Sequence, residues 1–255
     1  MTIPRWIKGP VDLLVTLFLW VYFTFGYFIL FSPFYLFSFL FSDNLENSFQ
    51  KINHRFFKSF FILLRIITPR LNIRIDDDVC AIRSSVIVCN HLSYLDPILM
   101  VSLFEKQKTV VKKTFLKVPV FGWVLKKSGY LFSTKEETFT ALMLERIKDM
   151  ENYLSSGGNL FVFPEGTRSR DGKIGRLNKG AFTIAKRYHA PIQVLMINQT
   201  NKLLKPGRSL LNTCVPITIE VKRIGSIPPE YTSDGLSIQR VMEQVRQFFE
   251  QQLEP

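Results

Sequence analysis

Apolar positions fall into three regimes along the chain. Residues 13–42 are 30 consecutive residues without a charge, nine of them phenylalanine, bounded by Asp12 and Asp43. At ~1.5 Å per residue a straight helix of that length would reach about 45 Å, against a hydrocarbon core of roughly 30 Å, so a bend is expected. Pro33 is the expected place, leaving a full-length helix over 13–32 and a short arm over 34–41. Residues 50–67 then take up a helical rhythm. Lys51, His54, Arg55, Lys58 and Arg65 fall in one arc, with Phe56, Phe57, Phe60, Phe61, Leu63 and Leu64 mostly on the other side. Such a helix either lies along lipid headgroups or turns an ordinary charged face to water.

After Pro69 short apolar runs alternate with longer helical patterns, which predicts an α/β fold with a mostly parallel mixed sheet flanked by helices. Strands are expected over 72–75, 86–89, 109–111, 130–132, 160–163, 192–197 and 217–221. Helices are expected over 97–104, 135–155 with Gly157-Gly158 as its stop, 179–188 and 237–253, and 203–212 reads as a basic loop. The chain therefore divides into a membrane-embedded or interfacial helical segment, 1–68, and an α/β domain, 69–255. Its 255 residues suffice for one such domain and not for two.

Charge narrows the class of partner. Lys and Arg number 33 against 21 Asp and Glu, a net charge of +12, which implies an anionic partner. Zinc-ligand spacing, a helix-turn-helix signature and an aromatic RNA-binding motif are all missing, so a lipid surface is the better reading than nucleic acid. Arg5 and Lys8 precede the apolar run, and Lys51, Arg55 and Lys58 follow it. That symmetry favours a hairpin dipping into one leaflet over a single crossing. A cleaved signal peptide fits poorly, because the run is about twice the usual length and no small-x-small site closes it. Cys80, Cys89 and Cys214 are odd in number and widely spaced, so neither a disulfide framework nor a metal knuckle is indicated, and a reducing compartment fits.

Two motifs carry the chemistry. Asn90-His91-Leu92-Ser93-Tyr94-Leu95-Asp96 follows one predicted strand, and Phe163-Pro164-Glu165-Gly166-Thr167-Arg168-Ser169 follows another. A His-x4-Asp pair alone is expected ~0.1 times by chance in this composition, but Glu-Gly-Thr-Arg only about 0.002 times, so the conjunction is specific. Asp96 either orients His91 or merely caps the helix starting near Pro97. Arg168 offers a planar fork for an anion, or else pairs with Glu165 on a solvated loop. Cys89 would share a strand face with His91 and invites a thiol-nucleophile reading; the alternative is a small buried side chain.

With these blocks the chain resembles the glycerolipid acyltransferases, among them the 1-acyl-glycerol-3-phosphate acyltransferases, over roughly 86–197. Residues 90–96 are similar to the family's catalytic block, and 163–169 to its acceptor-phosphate block. Pro119-Val120-Phe121-Gly122 leading to Gly129-Tyr130-Leu131-Phe132-Ser133-Thr134-Lys135 resembles the second block, except that Thr134-Lys135 stands where relatives usually carry Asp-Arg. Ala190-Pro191-Ile192-Gln193-Val194 resembles a fourth block with one of its two prolines. The resemblance implies acyl transfer from acyl-CoA or acyl carrier protein (acyl-ACP) to a lysophospholipid acceptor, lysophosphatidic acid first, with no other cofactor and no metal. His91 would be general base and Asp96 its orienting carboxylate; Glu165, Gly166, Thr167, Arg168 and Lys135 would hold the acceptor, with Lys112 as an alternative second cation. The enzyme would sit at the cytoplasmic membrane with its catalytic domain facing the cytoplasm. The substituted second block keeps another lysolipid or an amino-acid-derived lipid open as acceptor. A hydrolase using Cys89 and a non-catalytic lipid-binding module are the rivals from other classes.

Overall fold

All seven short apolar runs form strands in the computed structural model, which describes residues 4–133, 146–169, 171–232 and 237–252. They are β1 (Leu71–Ile75), β2 (Val86–Cys89), β3 (Gln107–Lys112), β4 (Leu131–Ser133), β5 (Asn159–Val162), β6 (Ile192–Asn198) and β7 (Ile217–Ile227). One sheet results, in the order β1-β7-β6-β2-β5-β3-β4. The five strands from β6 to β4 are parallel, β7 pairs antiparallel with β6, and β1 runs parallel to β7.

The described helices are α1 (Arg5–Val21), α2 (Ser32–Phe41), α3 (Leu45–Ile67), α4 (Asp77–Cys80), α5 (Leu95–Leu103), α6 (Phe121–Lys127), α7 (Met150–Ser155), α8 (Gly180–Arg187), α9 (Thr200–Leu203) and α10 (Ile238–Gln251). They cover both faces of the sheet, which is why the central strands are apolar on both sides. Ile87 and Cys89 join the cluster that contains Phe56, Phe57, Leu99 and Met100, while Val86 and Val88 join the one that contains Phe182, Ala185, Val245 and Phe249. Of the helix expected over 135–155, residues 135–145 lie outside the described residues, and α7 is its end.

In α3, Asn44 caps the first turn by accepting the Asn47 N–H at 3.0 Å. Phe56, Phe57, Phe60, Phe61 and Leu64 are buried, and Lys51, Arg55, Lys58 and Arg65 form an exposed row with Ile62 and Ile66. His54 does not belong to that row. At ~100° per residue it sits about 60° from Lys51, at the edge of the arc, and there it turns inward. The ring is buried with Nδ1 3.3 Å from the Val101 carbonyl of α5, and burial lowers its pKa.

The N-terminal segment bends, though not at Pro33 itself. After α1 the helix widens into a π-helical stretch, Tyr22–Leu30, and breaks at Phe31; Pro33 lies in the first turn of α2. Pro33 has no N–H for the Ile29 carbonyl and its ring would crowd that carbonyl, while the ring suits a first turn, so the helix breaks ahead of the proline. The helical run Trp6–Phe41 is long and apolar enough to cross a membrane. One side of α1 is nonetheless fastened to the α/β domain. Asp12 is buried and accepts from Thr213 N at 2.8 Å, Thr213 Oγ1 at 2.6 Å and Cys214 N at 3.2 Å, and from Lys8 Nζ. One turn on, Thr16 Oγ1 accepts the Leu211 N–H at 3.0 Å, and Trp20 Nε1 reaches Ser209 O at 3.4 Å. The other side leaves Leu14, Phe18 and Val21 exposed, and Phe25 of the π-helical stretch is exposed too.

An ion pair with a buried lysine and a half-buried glutamate ties α3 to the sheet. Lys108 of β3 is 2 % exposed, with Nζ 2.7 Å from Glu46 and 4.1 Å from the centre of the Tyr153 ring. A buried ammonium requires such a partner. Gly129, at φ +73°, makes room for it: an added Cβ would lie 2.1 Å from Glu46 Oε2 and 2.9 Å from Lys108 Cε. We expect Gly129→Ala to lower stability by about 2 kcal/mol or more, from left-handed strain plus displacement of the pair. Chemical denaturation of the two proteins in one detergent would read this, and equal midpoints would refute it.

Candidate active site

Because β6, β2 and β5 are neighbours and parallel, the loops leaving their carboxyl ends meet at one edge of the sheet. The loop after β2 carries residues 90–96, the loop after β5 carries 163–169, and the turn after β6 leads into α9.

Asn90 sets the first loop. Its side-chain amide donates to Ile197 O at 2.9 Å and its oxygen accepts Ile197 N–H at 2.7 Å, continuing the β2–β6 ladder past the last strand residue. The chain then turns, as a five-residue spacing on one helix could not bring His91 to Asp96. His91 Nδ1 lies 2.9 Å from Asp96 Oδ2. That oxygen also accepts the main-chain N–H groups of Leu92 at 2.6 Å and Ser93 at 2.7 Å, while Oδ1 accepts from Thr200 Oγ1 at 2.5 Å. Asp96 is fully buried, and these four donors replace the water it has lost. Asp96 thus lies against His91, the arrangement an orienting carboxylate requires. It does not cap the helix, because the N–H groups it accepts precede α5.

The His91 side chain is 15 % exposed, and its ring stacks on Phe163 at 4.4 Å between centres. With Nδ1 held by a carboxylate, Nε2 is the ring nitrogen left for chemistry.

The second loop locks onto the first. Glu165 Oε1 accepts the His91 N–H at 3.1 Å, Glu165 Oε2 accepts the Gly175 N–H at 2.9 Å, and Ser169 N donates to His91 O at 2.7 Å. Glu165 thus braces main chain around His91 and Gly175. Gly166, at φ +68°, allows the turn that exposes Gly166 and Thr167. Arg168 does not pair with Glu165. Its guanidinium lies 3.4 Å from the centre of the Tyr94 ring, and Nη1 is buried with no hydrogen-bond partner among the described residues. Lys135 lies outside the described residues. Lys112 ends β3, the neighbour of β5, and is exposed.

Cys89 is sealed off from solvent. It is fully buried beside Met100, Sγ to Sδ 3.8 Å, and burial pushes its thiol well above the ordinary range. Cys80 and Cys214 are free thiols too. Tyr94, Phe163 and Thr200 were not singled out by sequence reasoning as functional residues. Tyr94 and Phe163 lie inside the two motifs, so motif membership was a usable signal for them. Thr200 offered none.

The fold is that of a PlsC-like acyltransferase. The crystal structure of the 1-acyl-sn-glycerophosphate acyltransferase PlsC from Thermotoga maritima superimposes with a TM-score of 0.71 over 97 % of this chain and 98 % of that one, at 24 % identity. The chain belongs to the Acyltransferase family, whose model matches residues 70–198. A chloroplastic 1-acyl-sn-glycerol-3-phosphate acyltransferase of Brassica napus is 33 % identical over 122 residues, 48 % of this chain and 35 % of that protein. The 1-acyl-sn-glycerol-3-phosphate acyltransferase of Saccharomyces cerevisiae is 34 % identical over 133 residues, 50 % of this chain and 43 % of that protein. The chain thus spans less than half the length of these two curated relatives.

Proposed function

We propose that this protein is a membrane-associated acyltransferase that moves a fatty acyl group from acyl-CoA or acyl-ACP to the free hydroxyl of lysophosphatidic acid, giving phosphatidic acid. One observation carries the reading. Tyr94, inside the His91–Asp96 loop, lies against the guanidinium of Arg168, so base and cation belong to one interlocked pair of loops. The names of the Brassica and yeast relatives support the acceptor.

In the proposed step His91 Nε2 takes the acceptor's hydroxyl proton while that oxygen attacks the thioester carbonyl. Asp96 stabilises the imidazolium through Nδ1. Collapse of the tetrahedral intermediate breaks the carbon–sulfur bond, and the leaving thiolate receives the proton from His91. The attacking nucleophile is the substrate's own hydroxyl, so no acyl-enzyme forms. Arg168 would hold the acceptor phosphate with its fork, the buried Nη1 finding there the partner it lacks among the described residues.

The docking of α1 supports a hairpin lying in one leaflet over an independent crossing. A helix whose Asp12, Thr16 and Trp20 hold the 209–214 loop stays beside the catalytic domain, with its apolar side free for lipid. We place the catalytic domain on the cytoplasmic side because that is where acyl-CoA and acyl-ACP would be met, the docking of α1 itself being silent on the side.

The test is detergent-solubilised protein given labelled acyl-CoA or acyl-ACP and a panel of lysolipids, including amino-acid-derived ones because of Thr134-Lys135. Transfer to lysophosphatidic acid in preference to the others is expected; absence of transfer to any acceptor would end the reading. Cys89→Ala is expected to keep turnover within about threefold, since a buried neutral thiol is no nucleophile. Loss of turnover in that variant would favour a thiol hydrolase.

A further inference from the structure

The proposed dyad rests on a residue from a third segment of the chain. Three donors, His91 Nδ1 and the N–H groups of Leu92 and Ser93, converge on Asp96 Oδ2. Among the described residues, Oδ1 has a single partner, the hydroxyl of Thr200 at 2.5 Å. Thr200 and Asp96 are both fully buried, so nothing from solvent substitutes for that hydroxyl.

The main chain is shaped to deliver it. Thr200 follows β6, outside the residues 70–198 that the family model matches. Gln199, the N-cap of α9, takes the left-handed conformation at φ +63°, which reverses the chain from β6 into α9 and turns Thr200 back toward Asp96. Strain of this kind persists only where surrounding contacts enforce it. Here they stand on both sides: the Asn90 amide pairs with Ile197 before the turn, and Ser93 Oγ donates to Leu204 O at 2.9 Å after it. Between these two fastenings lies the Thr200–Asp96 bond.

We infer that Thr200 is a positioning residue for the reaction: its hydroxyl fixes the rotation of the Asp96 carboxylate, and through it the His91 ring. This rests on the function proposed above. Without that hydroxyl Oδ1 is buried with no partner among the described residues, and only the three donors on Oδ2 resist a rocking of the carboxylate about its Cβ–Cγ bond. That rocking moves Oδ2 off the axis of the His91 N–H as the imidazolium forms, without disturbing either substrate's binding surface.

Thr200→Val keeps the shape and removes the donor, whereas Thr200→Ser keeps the donor. We expect Val to lower kcat about 10- to 100-fold with KM for both substrates within about twofold, and Ser to restore kcat to within about threefold. A readout independent of turnover is the His91 Nδ1 proton resonance, followed by NMR in the intact protein in detergent. It is expected to move or broaden in Val and to return in Ser. If Val does not fold, Thr200→Ala against Thr200→Ser makes the same comparison. Wild-type kcat in the Val variant, failure of Ser to restore it, or an unmoved His91 resonance would each overturn the role of Thr200. A wild-type protein without transferase activity would instead overturn the proposed function, and the resonance would still decide whether Thr200 positions the pair.

Discussion

His91→Ala is expected to lower kcat for acyl transfer by about a thousandfold or more, the scale of a lost general base. The loss should come with little change in stability. The side chain is partly exposed, and what the loops need from this residue is main chain: its N–H to Glu165 and its carbonyl to Ser169 survive the substitution. Asp96→Asn makes the instructive contrast. Four donors converge on that carboxylate, and an amide turns one NH2 group toward them, so a buried donor faces a donor. Turnover and stability are expected to fall together there, stability by roughly 2–4 kcal/mol. Steady-state rates and denaturation midpoints on both variants decide the matter. If His91→Ala keeps kcat within about tenfold, His91 is not the base.

That contrast also marks what the sequence made legible. The spacing from His91 to Asp96 and the rare order Glu165-Gly166-Thr167-Arg168 located both loops. The apolar runs located all seven strands, because β2 is apolar on both faces, β5 and β6 nearly so, and β7 alternates; β3 was legible only in its apolar half, since its buried half is Gln107, Lys108 and Thr109. The order of those strands was not legible, since pairing joins segments far apart in the chain and β-branched runs carry no address. Short helices escaped as well: α4, α6 and α9 span 4, 7 and 4 residues, too few turns for a period to show. His54 was misplaced because it lies at the margin of an arc, where angle alone does not separate inward from outward. Thr200 and the pairing of Tyr94 with Arg168 are contacts between loops, and local spacing is silent on those.

The same loop contact decides what Arg168 does. Arg168→Ala is expected to raise KM for lysophosphatidic acid and lower kcat/KM by about a hundredfold, on the order of 3 kcal/mol for two charge-assisted hydrogen bonds. A monoacylglycerol acceptor, which has the same hydroxyl and no phosphate, is expected to respond little. Arg168→Lys should recover only part of the loss. An ammonium keeps the charge but has no fork for two oxygens, and it stacks less well on the Tyr94 ring that holds the guanidinium at 3.4 Å. The comparison separates recognition from architecture. If Arg168 only welded the two loops together, its removal would disturb His91 and both acceptors would suffer alike. Initial rates for the two acceptors across Arg, Lys and Ala therefore decide it, and equal losses on both would show that the cation serves the fold and not the phosphate.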